Sequence, residues 1–215
     1  MRDIIVYGSG GMARETVQLI EDINTVEPQW NILGYIDDFK GDCGEFINGY
    51  RILGTGDVLK RCDGNTYVVI AMGDPAAKKS VYEKISGYNL KYPVLIHPTA
   101  VIAPSARIGE GSIIGIQCVL SVNTVIGRHV LINTKSFAAH DSVIGDFSSC
   151  FVSCMVNGGV IIGEGVLVGS GSVIMERMRI GSFSRVSMGS IVVSDVEERH
   201  VVMTKPSRSM YFGNT

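Results

Sequence analysis

The sequence has little proline, little charge and no long hydrophobic run. Only 6 of its 215 residues are Pro whereas 26 are Gly, which favours many tight turns over a disordered chain. Charged residues make up 19% and the formal net charge is −2, so nucleic acid is not an expected partner. The apolar run at 4–8 is too short for a signal peptide or a membrane span. We therefore expect a soluble, cytoplasmic protein without membrane insertion.

The cysteines also lack a pattern. The sequence contains no CxxC and no zinc-ligand spacing, and an odd number of scattered cysteines is typical of reduced thiols in a cytoplasm. We therefore predict neither a disulfide framework nor a metal site. The five residues are Cys43, Cys62, Cys118, Cys150 and Cys154.

The first ninety residues alternate between two kinds of pattern. Segments 4–8, 30–38 and 66–74 are typical of strands, and residues 14–23 follow a helical pattern. Asp74–Pro75 predicts the start of a second helix, through Ser86, because Asp is a good N-cap and Pro suits the first turn. Strands alternating with helices indicate a parallel sheet with helices on its faces, here half of a doubly wound domain.

From Ile96 onward the period changes to six. Seventeen positions spaced six residues apart run from Ile96 to Val192, and fifteen of them are Ile, Leu or Val. This period fits neither a helix nor an ordinary strand, and it is the signature of a parallel β-helix. Three hexapeptides make one coil of a triangular prism, so about five coils would stack at roughly 4.8 Å each. The exceptions are Ala138 and Cys150.

These patterns divide the chain into three parts. We predict a Rossmann-like domain over 1–92, a hexapeptide β-helix over 93–197 and a C-terminal tail over 198–215. The fold class is therefore α/β followed by all-β.

At this point the sequence resembles a known family. The hexapeptide region resembles the left-handed β-helix acyltransferases. Together with IIVYGSGGMARETVQLIEDI, LGYIDD, INGYRILG (47–54) and IHPTAVI (96–102), it is similar to the sialic acid O-acetyltransferase and bacillosamine-pathway acetyltransferase group, the NeuD and PglD family. The resemblance covers almost the whole chain. It implies a homotrimer that uses acetyl-CoA to acetylate a sugar, in many cases a nucleotide-linked one.

His140 and Asp141 are the predicted catalytic pair. A neutral imidazole suits removal of a proton from an attacking amine or hydroxyl, and a carboxylate can orient it. A lone His–Asp dipeptide is more often a solvated surface pair. The resemblance reverses that preference, because NTKSFAAHDSVIGD matches the family's motif for the catalytic base. Ala138 then marks a thinner wall beside a reactive site, or it merely accommodates a large neighbour.

The other histidines have simpler interpretations. We expect His97 to be structural, His129 to be exposed on a corner and His200 to lie in a loop. The zinc-dependent γ-type carbonic anhydrases need three histidine ligands, which the coil region lacks, so that class is improbable.

The resemblance also implies substrate and coenzyme contacts. Asn133 would contact the acceptor, although a turn residue that tolerates positive φ is an equal alternative. Ser149, Ser170 and Met188 fall where the family contacts coenzyme A, and the Gly158 amide would lie near the thioester carbonyl as an oxyanion donor. Two departures from the family are Ser149, where bacillosamine-pathway members have a second His, and the tail TKPSR (204–208). Within the tail, Lys205 and Arg208 would reach the coenzyme phosphates, or they are solvated surface charges.

The loop GSGGMA (8–13) matches a dinucleotide fingerprint, but the domain is too short for a complete NAD-binding fold. Its backbone amides and the helix N-terminus suit an anion. The resemblance implies a nucleotide-sugar phosphate at Gly10, Gly11 and Met12, with Asp37 and Asp38 near the base or ribose. Met12 is a further departure, because some members have His there. The alternative is that these glycines only allow close packing of strand and helix.

The predicted function is direct acetyl transfer from acetyl-CoA to a sugar, with His140 as general base and Asp141 as its orienter. The sequence leaves open whether nitrogen or oxygen is acetylated. The alternative is a β-helix binding or scaffolding protein without catalysis.

Overall fold

The structure, a computed structural model, describes residues 1–40, 44–62 and 64–204. Its first part contains a five-stranded sheet. The strands are β1 (Arg2–Tyr7), β2 (Trp30–Ile36), β3 (Phe46–Ile47), β4 (Tyr50–Gly54) and β5 (Tyr67–Ile70), in the order β3-β4-β2-β1-β5. All pairings are parallel except the hairpin of β3 and β4.

Two α-helices cover opposite faces of this sheet. Helix α1 (Gly11–Val26) begins three residues earlier than predicted, and α2 (Pro75–Ile85) begins at the predicted proline. The Asp74 carboxylate accepts hydrogen bonds from the first free N–H groups of α2, as expected of an N-cap. Side chains alternate along β1, so Ile4 packs with the α1 side and Ile5 with the α2 side. A 3₁₀ helix spans Gly56–Arg61.

Residues 95–202 form the predicted parallel β-helix. Each strand pairs in parallel with the strand one coil later, as Leu120 pairs with Ala138. Its strands, each of two residues, are β6 (Leu95–Ile96), β7 (Val101–Ile102), β8 (Arg107–Ile108), β9 (Ile113–Ile114), β10 (Val119–Leu120), β11 (Val125–Ile126), β12 (Leu131–Ile132), β13 (Phe137–Ala138), β14 (Val143–Ile144), β15 (Ser149–Cys150), β16 (Met155–Val156), β17 (Ile161–Ile162), β18 (Leu167–Val168), β19 (Val173–Ile174), β20 (Arg179–Ile180), β21 (Arg185–Val186), β22 (Ile191–Val192) and β23 (Val201–Val202).

These strands stack into three sheets, the faces of a prism. Face 1 contains β6, β9, β12, β15, β18, β21 and β23; face 2 contains β7, β10, β13, β16, β19 and β22; face 3 contains β8, β11, β14, β17 and β20. The second residue of each strand points into the prism, and both Ala138 and Cys150 are 1% exposed. The register predicted from the sequence is therefore confirmed, including its two exceptions.

Buried serines hold successive turns of the prism together. Ser112 and Ser148 are fully buried, and each hydroxyl donates to a carbonyl oxygen of a following turn, that of Gly127 or Gly163, at 2.8 Å. These bonds satisfy polar groups that would otherwise be costly to bury.

The N-terminal part covers face 1 of the prism. Ile113 and Leu131 project from face 1 into the same apolar core as α1. His97 is buried and its Nε2 lies 3.0 Å from a carboxylate oxygen of Asp22 on α1, in keeping with its predicted structural role. Within the part of the chain that the structure describes, faces 2 and 3 have no such cover, and Val101, Met155 and Ile191 on face 2 are 62%, 45% and 73% exposed.

The prediction that His129 is exposed is wrong. The residue is 1% exposed and lies among the rings of Tyr82, Tyr92 and Phe147, with centroid separations of 4.6, 5.0 and 5.4 Å. Its corner joins face 3 to face 1, where α2 and the segment after it cover the prism. The hexapeptide pattern does not reveal which corners are covered.

Within the described ranges no helix is both long enough and apolar enough to cross a lipid bilayer.

Candidate functional site

His140 and Asp141 lie at the corner between faces 2 and 3, directly after β13. The imidazole Nδ1 is 2.9 Å from Asp141 Oδ2, and the two side chains are 63% and 58% exposed. With Nδ1–H donated to this carboxylate, Nε2 carries the lone pair and can accept a proton. The corner therefore presents an oriented base to solvent.

A second residue holds the carboxylate. Asn123 lies one coil before Asp141 at the same corner, and its Nδ2 donates to Asp141 Oδ1 at 2.9 Å. The hydrogen bond from Asn123 and then that from His140 lower the pKa of Asp141 below its usual value. The carboxylate thus stays ionised, as an orienting group must.

Gly158 forms the floor beneath His140. A Cβ built on residue 158 would lie 2.6 Å from both Cε1 and Nε2 of the ring. The N–H of Gly159 donates to the His140 carbonyl at 2.9 Å, which ties the two turns together. The imidazole therefore occupies space that only glycine leaves free.

Met12 and Asn133 line one groove between α1 and the prism. The groove is about 190 Å³, and Glu15 and Thr134 also line it. Asn133 Oδ1 accepts the N–H of Thr134 at 2.7 Å, so its side chain also shapes the turn. The structure brings these two predicted acceptor contacts together.

The predicted phosphate loop lies at the start of α1. Gly10 is its N-cap and makes no side-chain cap, and a Cβ on Gly10 would meet nothing within 4 Å. The backbone here is accessible, and the helix N-terminus favours an anion.

Asp37 and Asp38 follow β2 and are held by the fold. Asp37 accepts from Ser9 Oγ and from the N–H groups of Phe39 and Lys40. Asp38 accepts from Tyr7 at 2.7 Å, Lys84 at 2.8 Å and the Gly56 N–H at 2.9 Å. Burial alone would raise both pKa values, but these hydrogen bonds lower them. Both acids line a cavity of about 250 Å³.

The residues predicted to contact coenzyme A do not all lie together in one chain. Ser170 and Met188 line a cavity of about 240 Å³ at the corner between faces 1 and 2. Gly158 is at the His140 corner, a different edge of the prism. Lys205 and Arg208 lie outside the described residues.

Ser149 does not face a ligand surface in this chain. It is fully buried under α2, and its hydroxyl accepts a hydrogen bond from Lys78 Nζ at 3.1 Å. Ser149 occupies the outward position of β15, but α2 covers face 1 there. The structure therefore does not support a direct coenzyme contact from this side chain within one chain.

Sequence reasoning missed Asn123 and Lys78. Asn123 can be found from the length of one coil, which is eighteen residues. Asn123 lies eighteen residues before Asp141 and therefore stacks on it at the same corner. No comparable signal exists for Lys78, whose burial depends on how α2 docks on the prism.

The described residues contain no group of three or more His, Cys, Asp or Glu side chains arranged to hold a metal ion.

Comparison with known proteins gives consistent relatives. Residues 3–85 match the family described as the PglD N-terminal domain. Over 137 residues the chain is 29% identical to GDP-perosamine N-acetyltransferase of Escherichia coli O157:H7. That match covers 63% of this chain and 61% of the relative, so it spans less than two thirds of the relative's length.

Solved structures extend the likeness to nearly the whole chain. The acetyltransferase domain of PglB from Neisseria gonorrhoeae FA1090, in complex with acetyl coenzyme A, is 26% identical with a TM-score of 0.86, covering 97% of this chain and 99% of that one. A mutant perosamine N-acetyltransferase from Caulobacter crescentus, in complex with CoA and GDP-perosamine, shares the fold at 23% identity and a TM-score of 0.85, covering 93% and 92%.

Proposed function

We propose that the chain, which matches the PglD N-terminal domain over residues 3–85 and shares the fold of the PglB acetyltransferase domain, acetylates an amino group on a nucleotide-linked sugar. Acetyl-CoA is the proposed donor. The names of the relatives favour nitrogen over oxygen as the acetylated atom, since the relative from Escherichia coli O157:H7 is named an N-acetyltransferase.

The observation that carries the proposal is the arrangement around His140. Its ring is held by Asp141 on one side and by the floor of Gly158 below, and yet it is 63% exposed. A structural histidine in this prism is covered instead, as His97 and His129 are. An oriented, accessible imidazole is what acetyl transfer by direct attack requires.

The proposed reaction follows from these groups. The acceptor amine attacks the thioester carbon, and its proton passes to His140 Nε2 as the carbon–nitrogen bond forms. The carbon–sulfur bond then breaks, and the coenzyme thiolate takes the proton from the imidazolium. The Gly158 N–H, which donates to no acceptor in the described ranges, is the proposed donor to the developing oxyanion.

The acceptor's nucleotide is assigned to the N-terminal part. The accessible N-terminus of α1 at Gly10 and Gly11 suits a diphosphate. Asp37 lies next to this loop, because its carboxylate accepts a hydrogen bond from the hydroxyl of Ser9. Met12 and Asn133 line the groove in which we place the sugar. Ser170 and Met188 are proposed contacts of the coenzyme, as are the tail residues Lys205 and Arg208.

The proposal includes assembly into a homotrimer. Face 1 is covered by the N-terminal part, whereas faces 2 and 3 expose apolar side chains, among them Met155, Ile191 and Val125. Two uncovered apolar faces on a prism suit a closed ring of three copies. One chain holds His140 on one edge and Ser170 on another, so we place the coenzyme between copies.

The test is an acetyl-transfer assay with purified protein, acetyl-CoA and a panel of GDP- and UDP-linked amino sugars. Product is identified by mass and released coenzyme by its thiol. We expect transfer with the wild type and a loss of at least a thousandfold with His140→Asn, because the general base is removed.

Acetyl-CoA binding, measured by calorimetry, is the control for this variant. It is expected to persist in His140→Asn, since the imidazole is not a proposed anchor of the coenzyme. Near-normal turnover by the variant would refute the role of His140. A wild type that binds no acetyl-CoA would favour a scaffold.

A further inference from the structure

We infer that Asn123 is a positioning residue of the acetyl-transfer site, which acts through Asp141 on the tautomer of His140. The inference rests on the proposed function, to which it adds a third member of the catalytic group.

The contacts form one continuous chain along the prism edge. Ser105 Oγ accepts the N–H of Asn123 at 3.0 Å, Asn123 Nδ2 donates to Asp141 Oδ1 at 2.9 Å, and Asp141 Oδ2 lies 2.9 Å from His140 Nδ1. These residues come from three successive coils at one corner. The repeat therefore sets their spacing, and no loop has to order to bring them together.

Asn123 fixes the orientation of the Asp141 carboxylate, which is exposed to solvent. Asp141 is 58% exposed, so water competes for its carboxylate and its side chain has room to rotate. With Oδ1 held by Asn123, the remaining oxygen stays directed at Nδ1. That contact favours the tautomer with the proton on Nδ1, which leaves Nε2 free to act as the base.

The conformation of the turn does not by itself explain why residue 123 is an asparagine. Both Asn123 and Asp141 have a φ of 59°, a left-handed conformation that Asn and Gly adopt readily. Other corners of this prism place Gln117, Lys135 and Phe147 in the same conformation. The turn therefore does not require Asn, whereas the bond to Asp141 requires a donor at this position.

Two variants separate the hydrogen bond from the turn. Asn123→Asp keeps the shape and the conformational preference but removes the N–H donor and faces Asp141 with a second carboxylate. Asn123→Gly removes the side chain and keeps the positive φ. Arg199→Gly is the matched control, because Arg199 has a φ of 61° at a different corner.

The decisive measurements are steady-state kinetics and nitrogen-15 NMR of the histidine rings. The sequence has only four histidines, so His140 is assigned from the signal missing in His140→Asn. For both Asn123 variants we expect kcat to fall about tenfold with the KM for acetyl-CoA unchanged, the loss typical of one charge-assisted hydrogen bond. The His140 signals are expected to shift from the Nδ1-protonated toward the Nε2-protonated tautomer, and Arg199→Gly is expected to match the wild type in both readouts.

The inference is overturned if Asn123→Asp keeps the wild-type kcat and tautomer. It is also overturned if both variants lose activity with the tautomer unchanged, since Asn123 would then act only on structure. If the wild type acetylates no acceptor, the proposed function fails by itself. The tautomer shift then still decides whether Asn123 orients the pair.

Discussion

The ring of His140 packs so closely on Gly158 that a Cβ on residue 158 would lie 2.6 Å from two of its atoms. Because of this close contact, the imidazole can hold its position only if residue 158 is glycine. This requirement is independent of any hydrogen bond from the Gly158 N–H to the thioester. A methyl group there would displace the imidazole from its floor and from Asp141. Small displacements of a reacting group are costly in catalysis.

We therefore expect Gly158→Ala to lower kcat by about a hundredfold. Folding should be little affected, because the ring can rotate outward into solvent. The assay is acetyl transfer, alongside thermal unfolding. The matched control is Gly87→Ala, since a Cβ on Gly87 meets nothing within 4 Å and the residue lies away from the prism edge. An alanine variant at 158 with wild-type kcat would contradict the packing described here.

At the residue scale the contact between His140 and Asp141 could be predicted from the sequence, whereas the burial of several other side chains could not. This contact is predictable because the two residues are adjacent in the sequence and lie at the same corner of the prism. The burial of Ser149 and of His129 could not be predicted, because it depends on α2, which docks from a distant part of the chain. Asn123 is far from His140 in the sequence but adjacent in space, and only the coil length connects them.

Among the elements, α2 makes the most consequential contacts with the prism. Lys78 on α2 is 2% exposed, with Nζ within 3.3 Å of the Ser148 carbonyl and 3.1 Å of Ser149 Oγ. Burial lowers the pKa of Lys78 to about 7. His129 lies close by without a hydrogen-bond partner on either ring nitrogen among the described residues. Two basic groups are therefore buried together at this junction.

The His129 cluster predicts loss of stability in acid. Burial first, and then Lys78 and Arg128, lower the pKa of His129 from 6.5 to about 4. A lowered pKa means that the unfolded chain binds the proton more tightly, so stability is complete above about pH 6.5 and falls toward pH 4. Between pH 7 and pH 5 we expect a loss of about 2 kcal/mol from this group.

Replacing His129 by Phe removes the titrating group and keeps an aromatic ring in the cluster. We expect His129→Phe to unfold with a smaller pH dependence between pH 7 and pH 5, by about 2 kcal/mol. The measurement is urea unfolding, followed by the fluorescence of Trp30, the one tryptophan in the sequence. His200→Gln, at an exposed histidine, is the control. An unchanged slope in His129→Phe would show that other groups cause any acid sensitivity.

The elements of the prism could be predicted almost completely, because one apolar residue in six fixes both the strand and the side that it buries. The N-terminal part was less regular. The hairpin of β3 and β4 and the 3₁₀ helix were not predicted, since their segments are short and have no repeating pattern. The early start of α1 was missed because Gly11 is a poor helix former that belongs to the loop motif.

At the scale of the whole molecule, the residues from 1 to 204 that the structure describes cover one face of the prism and leave the other two uncovered. The apolar residues of face 2 predict that it is buried between copies. Met155, at 45% exposure, lies one coil after Phe137, which leads into the His140 corner. A charge on face 2 would oppose association and should also disturb the proposed site between copies.

We expect Met155→Lys to shift the proposed trimer toward monomer and to lower the proposed acetyl transfer at least tenfold at equal chain concentration. Mass is measured by light scattering after size exclusion. Val26→Lys is the control, because Val26 is a similarly apolar residue, 72% exposed at the end of α1 and not part of face 2. Dissociation by Val26→Lys, or a Met155→Lys protein that remains trimeric, would argue against face 2 as the contact.

The docking of α2 spans three successive levels of face 1. Lys78 reaches the level of Ser149, Lys79 pairs with Glu164 at 2.7 Å, and Asp74 pairs with Arg185 at 2.9 Å. Contacts at three heights keep α2, and with it the cavity at Asp37, in one position along the prism. In the proposed trimer, this fixed position would set the distance between the bound nucleotide and the catalytic imidazole, and a sugar without a nucleotide would lack the contacts that position it against the base.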